Sequence, residues 1–222
     1  MNGHQSRTRI GAAGLALAGV LFLVYETAAP RKDQDTLEGA ASWTSTGWAV
    51  GHVAAILGLI LIPLGWGALR NRLQDNRNEN LAYLAATLGY IGSALTISYY
   101  GAEVYGLQAI GARAVADGDA SLTKVGNDFR MDSIAVTVFA LGLALIAAAA
   151  ILAAVAIWRS GILARWSGVA MAVAMVVYLP HFYLPHAVRV GWGALVTVGA
   201  CWIAVELWRS ATVAHDAELA AA

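Results

Sequence analysis

Apolar residues run through this chain in long, nearly unbroken blocks, and each block is long enough to matter to a bilayer. Crossing the hydrocarbon core takes about 20 mostly apolar residues in a helix. Six stretches qualify: 10–29, 48–69, 81–112, 133–158, 162–184 and 187–207. Lipid offers no partner for free backbone groups, so such stretches must be helical. The expected fold is an all-α, six-transmembrane helical bundle forming one polytopic domain over 1–222. The third stretch exceeds what a bilayer needs and should tilt or protrude. The first has Arg7 and Arg9 before it, as a signal peptide would, but Pro30 suits a cleavage point poorly and the run is long. It reads as a retained span.

Basic residues orient the bundle. With the N-terminus inside, Arg7, Arg9, Arg70, Arg72, Arg77, Arg159, Arg165 and Arg209 fall on the inner side. Arg31, Lys32, Arg113, Lys124, Arg130 and Arg189 fall on the outer side. Most loop acids, among them Asp33, Asp35, Glu38, Asp117, Asp119 and Asp128, also lie outside. Two spans end alike, in Trp158-Arg159-Ser160 and Trp208-Arg209-Ser210, as interface ends on one face would. Both termini are expected in the cytoplasm. The outer loop 30–46 reads as an interfacial segment, and 113–130 as solvated turns rich in Gly and Asp. Gly47, Gly51 and Gly58 form a small-residue stripe, first of all a helix contact.

Composition agrees with the pattern and excludes alternatives. Of 222 residues 59% are hydrophobic and 13% charged, with a mean hydropathy of +0.62. Fourteen basic and fourteen acidic residues cancel, leaving no field to recruit nucleic acid. Cys201 is the single cysteine, which excludes an internal disulfide, a Cys-based zinc cluster and a dithiol centre. The richness in Ala, Gly and Trp points to a high-GC bacterial genome, and so to a bacterial cytoplasmic membrane.

The informative residues are ionisable groups inside apolar spans, which cost several kcal/mol unless paired or facing a cavity. On the expected topology His52, Glu103, His181, His186 and Arg189 gather in the outer third of the bundle, with Glu26 and Glu206 at span ends. Thr96, Tyr99, Tyr100 and Glu103 share one face of the third span, continued by Gly89 and Gly92. Trp48 and His52 face together on the second. Arg189, Gly193, Thr197 and Cys201 form a stripe on the sixth. His181 and His186 each follow a proline.

Three chemistries fit this cluster. His52, His181 and His186 are candidate ligands for a metal ion, and His52 with His181 or His186 for a haem. Alternatively, Glu103 and His52 are candidate catalytic acid and base on a lipid or isoprenoid substrate, with Tyr99 and Tyr100 beside them. Arg189, Trp48, Trp192 and Tyr183 would then bind the substrate. A small proton-coupled transporter or a structural subunit would carry similar residues. The leading expectation is a site binding a cofactor or lipophilic small molecule for redox or other catalysis, with membrane lipids as surroundings. Bland readings stand beside it. Glu103 would pair with Arg189, His52 would bond a carbonyl, and His181 and His186 would be wetted interfacial residues. Glu26 and Glu206 would snorkel, and His4 and His215 carry no signal as tail residues. The chain lacks paired Asp-rich prenyltransferase motifs, a retinal lysine arrangement and a P-loop.

Overall fold

A computed structural model describes residues 3–221, with side chains through residue 212. His215 lies outside the described side chains. The described residues form α-helices joined by short connections: α1 (Gly3–Ala28), α2 (Leu37–Trp43), α3 (Thr46–Arg72), α4 (Glu79–Asp117), α5 (Thr123–Arg130), α6 (Ser133–Ser160), α7 (Val169–Val176), α8 (Tyr178–His181) and α9 (His186–Ala221). Five helices are long and apolar enough to cross a membrane: α1, α3, α4, α6 and α9 to Thr212. This is a helical bundle of membrane type.

Polar contacts define two ends. At one, the Gln5 side chain donates to the Ala211 carbonyl, Asn71 to that of His4, and Asn76 to that of Ser160. Both chain ends therefore share this terminal end with the 73–78 and 161–168 connections. The other, distal end carries segments 29–46, 118–132 and 182–185.

The segment expected as the fifth span, 162–184, is not one long helix. Gly161 adopts the left-handed conformation at φ 68° and terminates α6. The Ser160 hydroxyl then accepts from the amides of Ile162 and Leu163, and the Glu206 carboxylate accepts from Ala164, which holds a non-helical stretch. Helix resumes only as α7 and α8 before Pro185. Glu206 thus ties down a loop and does not simply snorkel. A run of apolar residues signals burial in lipid or protein equally, so hydropathy alone does not reveal this break.

Small residues set the packing. A side chain at Gly51 would meet Ala29, one at Gly58 would meet Phe22, and one at Gly47 the Ala28 carbonyl. The stripe on α3 is therefore the seam with α1. On α9 the Thr197 hydroxyl donates to the Gly19 carbonyl at 2.8 Å, and Gly193 lies against Leu23, so the stripe read on this helix also faces α1. Gly92 and Gly142 bring α4 and α6 together, a Cβ at Gly92 falling 2.7 Å from the Gly142 carbonyl oxygen.

α4 has 39 residues, roughly 58 Å at 1.5 Å per residue, about twice a hydrocarbon core. Its overhang is covered. α2 and α5 pack on it in a small distal core of Ala40, Trp43, Trp48, Leu107 and Ala114. The two segments expected as outer loops therefore differ from expectation. Segment 30–46 contains a capped helix with Trp43 buried against α4, and 113–130 is mostly helix, with Gly118 (φ 66°) closing α4. Thr36 caps α2, Ser45 caps α3 and Asp132 caps α6.

Candidate functional site

Two buried carboxylates organise the distal end. Glu26, at the last turn of α1, is fully buried. Its oxygens take Arg31 at 3.3 Å, the His181 Nε2 at 3.0 Å, and the Arg189 Nε and Nη2 at 3.0 and 3.3 Å. α1, α8, α9 and the segment after α1 are joined by this one side chain. Four contacts saturate a carboxylate. Snorkelling does not describe Glu26, because these partners arrive from later in the chain and close over it.

Glu103, on α4, has fewer partners. The Arg130 Nε lies 2.9 Å from one oxygen and the His52 Nε2 3.4 Å from the other. The carboxylate keeps 9% of its side-chain exposure. Arg130 reaches it from the C-terminal end of α5, where it also contacts Gln34. The expected Glu103–Arg189 pair is absent: Arg189 belongs to Glu26, and Arg130, read as a loop residue, takes its place.

The two histidines share one local design. His52 Nδ1 lies 2.9 Å from the Trp48 carbonyl four residues earlier, and His181 Nδ1 bonds the Tyr178 carbonyl. A carbonyl only accepts, so Nδ1 carries the hydrogen in both rings. Each Nε2 then faces a carboxylate. For His181 the contact is a good hydrogen bond. For His52, 1% exposed, Nε2 makes none.

Aromatic residues fill the space between the pairs. The Tyr25 ring lies edge-on to His52 at 5.3 Å and to Tyr100 at 5.5 Å, with the Arg31 guanidinium 5.0 Å above it. Tyr100 and Tyr178 join hydroxyls at 3.0 Å. His181 stacks on Trp192 at 4.0 Å, and His52 lies on Trp48 at 4.1 Å. The Trp48 indole donates to the Glu103 carbonyl and the Trp192 indole to that of Ala174, fixing both rings.

Of the residues singled out in the sequence, His52, Glu103, Tyr100, Trp48, His181, Arg189 and Trp192 come together as buried groups. Tyr99 is half-buried at the edge, stacked on Phe139, with its hydroxyl donating to the Arg130 carbonyl. Tyr183 is 84% exposed and His186 is exposed, so neither joins the cluster. Sequence reasoning missed Glu26, Arg31, Arg130, Tyr25 and Tyr178. Glu26 was visible as a charge at a span end, whereas Arg130 gave no signal before α5 was known to fold back on α4.

The histidines do not converge as ligands. His52 and His181 are each committed to a carbonyl and a carboxylate, His186 lies apart, and no group of three His, Cys, Asp or Glu residues is arranged to hold a metal among the described residues. No family model, curated protein or solved structure matches the chain.

Proposed function

We propose that this protein is a multi-pass membrane protein whose Glu103–His52–Arg130 site performs acid–base chemistry on a lipophilic molecule with an anionic group. The observation that carries this reading is the contrast between the carboxylates. Glu26 is saturated and sealed, as a structural clamp is. Glu103 keeps some exposure, and beside it stands a fully buried imidazole whose Nε2 reaches that carboxylate only at 3.4 Å, outside hydrogen-bond geometry. A buried polar atom held in so loose a contact is costly, and it is worth that cost where the atom must give or take a proton. Three guanidinium groups, Arg31, Arg130 and Arg189, stand against two carboxylates here, a surplus that suits an anionic headgroup. Arg31 reaches Glu26 at 3.3 Å and covers the Tyr25 ring that lies against His52. Tyr99 and Phe139 form an apolar wall next to Arg130.

The redox or cofactor reading, with a metal ion or haem on His52, would require displacing Glu103 or Glu26 from its imidazole. The acid–base reading needs no such rearrangement. A proton-coupled transporter would use the same Glu–His pair, but the packed aromatic layer between the two pairs favours local chemistry over a through-path.

For topology, we infer six crossings with both termini in the cytoplasm of a bacterial membrane, the segment 161–185 acting as the fifth. The basic residues at the terminal end support this orientation. An impermeant thiol reagent on intact cells would label a cysteine placed at Ser121, in a Cys201→Ala background, and spare one placed at Gln74.

The function is tested by reconstituting wild-type protein and Glu103→Gln in nanodiscs made from a bacterial polar lipid extract, in D₂O, and comparing the lipids by mass spectrometry. A lipid species that changes mass or takes up deuterium with wild type alone supports the reading. Identical lipids in both samples oppose it.

A further inference from the structure

At the terminal end, far from the carboxylate clusters, lies a cavity of about 820 Å³ that the distal chemistry does not use. Three helices build it by regular spacing. α3 contributes Leu64, Gly67 and Asn71, α4 contributes Glu79, Tyr83, Ala86 and Tyr90, and α1 contributes Arg7 and Ile10. Intervals of three and four place each set on one face of its helix. α1 and α4 both pack on α3 rather than on each other, which leaves a trough over α3. Gly67 makes its floor, and a Cβ there would meet nothing within 4 Å.

The trough is chemically graded along its length. Ile10, Leu64, Ala86 and Tyr90 form the part nearer mid-bundle. Towards the end of the bundle stand Arg7, Arg70, His4 and Asn71. Arg70 is half-exposed, pairs with Glu79 at 2.7 Å and lies 4.6 Å over the Tyr83 ring. Arg7 is exposed and makes no ion pair among the described residues. An apolar slot leading to cationic groups at the membrane surface matches one kind of occupant, an acyl chain attached to an anionic headgroup.

We propose that this trough binds an anionic phospholipid of the surrounding bilayer, with its chain along Gly67 and its headgroup at Arg7 and Arg70. The site is independent of the distal carboxylates. Its test is native mass spectrometry of detergent-purified protein given phosphatidylglycerol or phosphatidylcholine at equal concentration. Wild type should retain phosphatidylglycerol at least fivefold more than phosphatidylcholine. The preference should vanish in Arg7→Gln/Arg70→Gln, which removes both cations and with them the Arg70–Glu79 pair, and retention itself should fall in Gly67→Leu, which fills open space. Thermal midpoints equal to wild type verify folding of both variants. Equal retention of the two lipids overturns the proposal, as does preference surviving both variants. Glycerol 3-phosphate competing as well as the lipid would also overturn it, since no chain would then be needed. So would Gly67→Leu changing the oligomeric state instead, which would mark the trough as a face for a second copy.

Discussion

The hydroxyls of Tyr100 and Tyr178 meet at 3.0 Å in the buried centre of the distal end. Tyr100 lies on α4, three residues before Glu103. Tyr178 opens α8, three residues before His181. The contact therefore ties the helix that carries one carboxylate to the short helix whose histidine closes on the other. The two Glu–His pairs are neighbours in one layer, yet each keeps its own partners.

That separation predicts which substitutions interact. Glu26 and Arg189 share two hydrogen bonds, so Glu26→Gln and Arg189→Gln should be non-additive by about 1–3 kcal/mol in thermal or chemical unfolding. Glu103 and Arg189 share no contact, and Glu103→Gln with Arg189→Gln should add within about 0.5 kcal/mol. A large coupling in the second cycle would mean that the two carboxylates exchange arginines.

Replacing Tyr100 with Phe leaves the Tyr178 hydroxyl buried without its partner, and the reverse change does the same to Tyr100. Each single variant should lose about 1–2 kcal/mol. The double variant removes both hydroxyls and leaves no orphan, so it should be no less stable than the worse single variant. Unfolding midpoints of the three proteins test this.

Much of this arrangement was legible in the sequence. Intramembrane charges cost too much to lie at random, and His52, Glu103, His181 and Arg189 do gather at one end of the bundle. Periodicity also placed Thr96, Tyr100 and Glu103 on one buried face of α4. The partners were not legible. Helical spacing orders residues within a helix and says nothing of which helix closes on it, so from sequence Arg189 is as good a partner for Glu103 as any, and Glu26 reads as a snorkelling end. Arg130 and the α2–α5 cover arise from long-range packing of short polar helices, whose sequences read as turns. The break after Gly161 was hidden by apolar composition, and one expected continuous span became a loop with two short helices.

The engaged ring nitrogens predict the outcome of a metal analysis. Purified protein should show no Soret band in oxidised or dithionite-reduced spectra, and any metal found should be unchanged in His52→Ala. A Soret band or stoichiometric metal that disappears with His52→Ala would restore the cofactor reading and require Glu103 to leave the imidazole.

The account turns on the division of labour between the carboxylates, and side-by-side thermal unfolding of Glu26→Gln and Glu103→Gln in the same detergent tests it most directly. Glu26→Gln removes the counter-charge of Arg31 and Arg189 and the carboxylate that His181 contacts, which should cost about 3–5 kcal/mol. Glu103→Gln should cost far less, about 1 kcal/mol, because Arg130 keeps its Gln34 contact and is 20% exposed. A Glu103→Gln protein as unstable as Glu26→Gln would show that Glu103 is a second structural clamp, and the acid–base reading of the site would fall with it.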